Sequence, residues 1–220
     1  MVQSKNYNTF IKLFIFISTI YFLSSCKSES DDADVNSQTN NKKNEQTDIE
    51  TLFDQTTFSS EVEPKLLKEL EICNVSQRDL DNHFDPACNP KFFRFFQFIE
   101  NKALENAFLL QIKARVNDFP LRRLLVFERD KGVLVKVNGF VANLIGTRIS
   151  KTKHHDLILR FNDNVSPGDI IFYNCLYQWE DKHYVFKKIE QINDANIKPE
   201  FQDSMNTVIS TIIKNNRMEF

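Results

Sequence analysis

The stretch Ile170-Ile171-Phe172-Tyr173-Asn174-Cys175-Leu176-Tyr177-Gln178-Trp179, followed by Glu180-Asp181-Lys182 and then His183 to Ile189, decides the fold. Ile171, Tyr173, Cys175, Tyr177 and Trp179 alternate with Ile170, Phe172, Asn174, Leu176 and Gln178, a period of two that predicts a strand. The short polar turn predicts a hairpin, because a parallel return needs a crossover of a dozen or more residues. The same texture extends upstream. Asp156 to Asn162 reads as a strand closed by a turn at Ser166-Pro167-Gly168. Arg122 to Arg129 and Val133 to Val137 flank the turn Asp130-Lys131-Gly132, and Leu110 to Val116 alternates cleanly. Gly139 interrupts the run toward Leu144 and suggests a bulge or bend. The expectation is an antiparallel meander of about six strands.

Helices are expected on either side of it. Ser60 can cap a helix carrying Leu66, Leu67, Leu70 and Cys73. Ser76 to Phe84 offers a second, short one. Asn89-Pro90 opens a third, KFFRFFQFIENKAL, with Phe92, Phe96, Ile99 and Ala103 on one face. After Pro199, Phe201, Met205, Val208 and Ile212 form an amphipathic stripe. The predicted class is α+β: a helical N-terminal part, the meander, and a C-terminal amphipathic helix.

Chain length and charge set bounds. The chain has 220 residues, enough for one good core. Its net charge of −2 does not suit a polyanion binder, so no nucleic-acid partner is expected.

The first fifty residues read as an address. Met1 to Lys12 is polar and basic, Leu13 to Leu23 is apolar, and Ser24-Ser25-Cys26 follows, a pattern of secretory signal peptides. An 11-residue apolar run is too short for a bilayer span, since a ~30 Å core needs ~20 residues. Leu23-Ser24-Ser25-Cys26 closely resembles the lipobox of bacterial lipoproteins. The resemblance implies removal of residues 1–25, acylation of Cys26, and a membrane anchor through its acyl chains. It places the chain in the bacterial cell envelope as an outer-membrane lipoprotein, periplasmic or surface-exposed. Residues 26–50 then form an acidic, disordered tether. Residues 27–50 hold seven acids and three bases, while residues 51–220, the single globular domain, carry 23 of each sign. Lys27, Glu29, Asp31 and Asp32 also resemble the lysine-plus-acid export signal of Bacteroidota surface lipoproteins. Serines interrupt the acids, and a solvated linker is the alternative reading.

Three cysteines remain. An oxidising compartment permits a disulfide, and Cys73–Cys88 is the expected pair, with Cys175 a buried small hydrophobe. Two clusters could bring carboxylates to an imidazole: Asp81, His83 and Asp85, and His154, His155 and Asp156. Each also reads as polar side chains solvated on a turn. No metal-ligand spacing, phosphate loop or nucleophile elbow occurs in the sequence, so no cofactor, metal site or catalytic residue is assigned. The loop Arg148 to His155 is basic and could meet an anionic partner, or simply be solvated. The row Tyr173, Tyr177 and Trp179 could stack on a sugar or fill a core. These features favour a lipid-anchored, non-enzymatic binding or accessory protein with an envelope protein or glycan as partner. The alternatives are an envelope-acting hydrolase using the His/Asp clusters, and a structural subunit that docks through the Phe-rich segment.

Overall fold

The computed structural model describes residues 46–49, 53–73, 87–116, 119–166 and 168–220. All of them belong to the compact unit Lys43–Phe220. The described chain is mostly β, which corrects the α+β expectation. Its strands are β1 (Gln46–Asp48), β2 (Phe93–Phe96), β3 (Ala107–Val116), β4 (Phe119–Asp130), β5 (Val133–Phe140), β6 (Asn143–Arg148), β7 (Asp156–Ser166), β8 (Asp169–Glu180), β9 (His183–Ile192) and β10 (Ala195–Asn196). They form two antiparallel sheets, ordered β2-β3-β4-β5 and β1-β6-β7-β8-β9-β10. Only two α-helices occur among the described residues, α1 (Val62–Glu69) and α2 (Gln202–Asn215).

The helical N-terminal part therefore shrinks to α1. The expected second helix, Ser76 to Phe84, lies outside the described residues. The expected third is not a helix at all: Pro90–Phe92 makes a single 3₁₀ turn, capped by the Asn89 side chain, and the chain then extends into β2. The reason is physical. Aromatic side chains lose χ1 freedom in a helix and gain packing on a pleated surface. Extended backbone also lets one Phe-rich segment serve two cores. Phe92 and Phe93 enter one core, while Phe98 and Ile99 enter the other.

Those two cores lie on opposite faces of the four-stranded sheet. Phe108, Leu110, Ile112, Leu125 and Phe127 pack beneath Leu66 and Leu67 of α1. Leu109, Leu124, Val126 and Phe140 face Leu157, Leu159, Cys175, Tyr177 and Ile189 of the larger sheet, with Ile209 and Ile213 of α2. The cluster Tyr173, Cys175 and Tyr177 is thus core, and the thiol of Cys175 is buried. Cys73 and Cys88 are joined in a disulfide.

Turn chemistry matches the strand reading. Lys131-Gly132, Asp181-Lys182 and Asn193-Asp194 each pair two residues of positive φ between adjacent strands, the backbone that suits a two-residue hairpin. Four strands exceed the expected six, namely β1, β2, β6 and β10, and the first of them lies in the segment read as tether. Gln46–Asp48 adds β1 to the free edge of β6. The bend expected near Gly139 falls just after it. At Val141-Ala142 the chain leaves the smaller sheet and enters the larger one as β6. Gly139 serves a different purpose: a Cβ there would lie 2.5 Å from the Phe220 ring.

Two buried amides join the sheets. Gln111, on β3, donates to the carbonyls of Ala142 (2.9 Å) and Arg123 (3.1 Å) and accepts from the Leu144 N–H (2.9 Å). Asn138, on β5, accepts from the Tyr184 N–H (2.6 Å) and donates to the Tyr184 carbonyl (3.2 Å) on β9. Each side chain supplies the donor and acceptor that a neighbouring strand would otherwise provide. A buried backbone group without a partner is costly, so these amides hold the corner and the sheet seam in place.

Candidate functional site

The expected cluster His154, His155 and Asp156 does not converge. His154 stacks flat on Trp179, with ring centroids 4.1 Å apart and planes within 6°. Asp156 accepts from the Gln178 amide at 2.8 Å. Trp179 and Gln178 are successive residues of β8, so their side chains leave opposite faces of the sheet. His154 and Asp156 are therefore separated by the sheet itself. His155 is held through its backbone: its N–H donates to the Phe98 carbonyl at 2.8 Å and its carbonyl accepts from the Tyr184 hydroxyl at 2.7 Å. Asp81, His83 and Asp85 lie outside the described residues.

Around His154 the structure assembles a group that the sequence did not announce. Phe98, Trp179 and Tyr184 form the aromatic wall. Glu128 approaches the His154 Nε2 at 3.6 Å and the Lys102 ammonium at 3.4 Å. Burial pushes the imidazole below its ordinary pKa, against the opposing pull of the Glu128 carboxylate. Glu128 precedes His154 by 26 residues and sits in the other sheet, so no local motif links them. The group closes a seam, because Ile99 bridges His154 and Glu100 N–H bonds the Lys153 carbonyl at 3.0 Å.

The outward face of the larger sheet carries two polar groups. Arg148 makes a two-pronged contact with Glu190 at 2.6 Å for each prong, and Lys188 reaches the same carboxylate at 3.3 Å. Those cations hold Glu190 below the usual carboxylate range although burial opposes them. Arg160 bonds Asn174 at 2.9 Å and pairs with Asp194, while Asn174 donates to Gln191 at 2.7 Å. The basic loop is correspondingly less available than its composition suggests. Arg148 is committed to Glu190, and His154 to Trp179, leaving Lys151 and Lys153 exposed.

One cleft, of about 310 Å³, opens where α2 crosses the larger sheet. Tyr177 of β8, Phe186 of β9 and Ile213 of α2 line its apolar side. Ser210, Lys214, Arg217 and Glu219 line the rest. The C-terminus of α2 shapes this wall. Met218 N–H bonds the Ile213 carbonyl (2.9 Å) and Arg217 N–H bonds the Lys214 carbonyl (3.1 Å), a Schellman closure with Arg217 in the left-handed region at φ 52°. The following residues run along β5: Val141 N–H donates to the Met218 carbonyl, and Phe220 N–H to the Gly139 carbonyl, both at 2.8 Å. Glu219 is thereby turned toward Tyr177, whose hydroxyl donates to its carboxylate at 3.3 Å. Burial raises the Glu219 pKa above its ordinary value. Sequence reading found none of this, because the residues come from three separate stretches and share no spacing.

Among the described residues no three His, Cys, Asp or Glu side chains converge as a metal site would require, and no helix is long and apolar enough to cross a membrane. No protein-family model, curated protein or solved structure matches the chain.

Proposed function

We propose that the chain is a lipid-anchored envelope protein whose globular unit is a non-enzymatic binding or accessory module. The observation that carries this reading is the Leu23-Ser24-Ser25-Cys26 sequence after an apolar run. The Cys73–Cys88 disulfide supports it, because such bonds persist in oxidising compartments reached by export. Two or three acyl chains on Cys26 hold the protein on a membrane, whereas a single chain anchors only marginally. The module reading is also supported by the arrangement around His154, where imidazole and carboxylate are committed to packing and to sheet-face hydrogen bonds. Burial of Phe92, Phe93 and Phe98 favours the module over docking through the Phe-rich segment, in which Phe95 and Phe96 are the partly exposed aromatics. The test is metabolic labelling with a fatty acid in the native host, comparing wild type with Cys26→Ala. Label in the wild type alone supports the anchor. Equal label in both refutes it.

A further inference from the structure

Several sheet edges are closed by short pieces rather than by long strands. β1 and the Gln111 amide serve β6, while Gln202 and Asn206 of α2 serve the carbonyl and N–H of Ile189 on β9. β5 is closed only in part. Asp130 and Val133 face each other across the turn Lys131-Gly132, and residues that flank a two-residue hairpin turn exchange hydrogen bonds. Antiparallel pairing then alternates, so the N–H and carbonyl of Leu134 and of Lys136 point away from β4. Arg129, the partner of Leu134, shows the same alternation, because its N–H leaves the hairpin for the Asn106 carbonyl. Further along, the outward groups of Gly139 and Val141 meet Phe220 and Met218. Among the described residues no hydrogen bond reaches the outward groups of Leu134 and Lys136.

The same edge is apolar. Val133 is 65% exposed and Val135 44%, on one face of the strand, and Phe220, 52% exposed, lies at the other end of the edge. Three of the seven exposed large apolar side chains among the described residues thus gather along one strand. Leu134 and Lys136 stand on the opposite face, with the Lys136 ammonium 4.5 Å from the centre of the Phe220 ring. Asp130 is across from Val133, on the valine face. An apolar strand edge with open backbone groups is a template for a further strand.

We infer that the β5 edge docks an extended segment of a partner protein, which pairs antiparallel with Leu134, Val135 and Lys136. The segment already seated on this edge shows what it accepts. Glu219 pairs antiparallel with Phe140, and Phe220 N–H bonds the Gly139 carbonyl. A partner strand in the same lane and direction places apolar side chains beside Val133, Leu134 and Val135, and an acidic one beside Lys136. Main-chain bonds supply the affinity of such a site and alternate side chains its specificity. The inference deepens the binding-module reading and rests on it.

The test uses the full chain, purified in detergent from its native host, and three fluorescent peptides read by anisotropy. The parent peptide is acetyl-Thr-Glu-Val-Leu-Val-Thr-amide, whose Glu falls opposite Lys136. The second is N-methylated at its Glu and Leu, which removes the two N–H groups that meet the Lys136 and Leu134 carbonyls. The third carries Lys in place of Glu. Each hydrogen bond contributes roughly a factor of two to ten, so the second peptide binds about tenfold more weakly than the parent. Lys136→Glu reverses the preference between the parent and the third peptide, and Val135→Glu weakens all three. Both residues are exposed, so neither change disturbs the core. Equal affinity for the first two peptides, no binding by the parent, or an unchanged preference in Lys136→Glu would overturn the inference. So would a dimer in sedimentation that Val135→Glu disperses, because the edge then pairs with a second copy of the chain. Fatty-acid label on Cys26 is read on the same preparation. Label without binding refutes the site alone, and binding without label refutes the anchor alone.

Discussion

Replacing Asn138 with leucine tests the seam between the sheets. Asn138 is 6% exposed, and the Tyr184 backbone that it bonds belongs to a residue that is fully buried. The Tyr184 N–H and carbonyl point away from β8, so the Asn138 amide takes the place of a missing neighbour strand. Leucine is close in size but offers neither donor nor acceptor. Two buried backbone groups then lose their partners, at about 1–3 kcal/mol each, while about 1 kcal/mol returns because no amide is desolvated. The expected loss is about 3 kcal/mol, a large part of the 5–15 kcal/mol that typically separates folded from unfolded chains. Asn138→Asp refines the test. Its carboxylate keeps the acceptor for Tyr184 N–H but faces the Tyr184 carbonyl, and burial beside a carbonyl raises its pKa. Its destabilisation should be full at neutral pH and shrink as pH falls through that raised value, where the protonated acid donates. Urea unfolding at several pH values measures both effects. A cost below about 1 kcal/mol for the leucine variant, or an aspartate variant that tracks wild type at every pH, would refute the reasoning.

His154 gives a second pH signature. Its folded-state pKa lies below the unfolded value of about 6.5, so the unfolded chain binds the proton first and stability falls as pH drops through that value. His154→Phe, which keeps the stack on Trp179, should flatten that slope in urea titrations between pH 7.5 and 5.5, on the order of the His titration range. Removing the disulfide by Cys73→Ser with Cys88→Ser should cost about 3 kcal/mol, and reductant should then have no further effect on the unfolding midpoint. Burial pushes the Cys175 thiol well above its ordinary pKa, so Ellman's reagent should not reach it in the folded protein and should titrate it promptly in denaturant.

The hairpins were legible because period-two alternation and polar turns act over a few residues. Ile170 to Trp179 and His183 to Ile189 fall inside β8 and β9, and the helix expected after Pro199 is α2, although its buried residues are Ile209 and Ile213 while Phe201 and Val208 of the expected stripe are exposed. The class was misjudged where local signals competed. Asn89-Pro90 is a sound helix start, but it governs three residues, and five nearby phenylalanines then favour extended backbone. Gln111 illustrates a second limit. Alternation put it on a solvent face, yet it is fully buried, because β3 has a core on each side. A sequence shows that a strand alternates, but not that both faces will be covered. The His154 group and the cleft at Glu219 are illegible for a related reason: long-range strand pairing brings their members together.

The anchor at Cys26 is the premise on which the functional account stands, and the mass of the mature amino terminus tests it most directly. Protein extracted from the envelope of its native host should yield an amino-terminal peptide that begins at Cys26 and carries diacylglycerol on its sulfur. An amino terminus at any other residue, or a free Cys26 thiol in the mature protein, would contradict it.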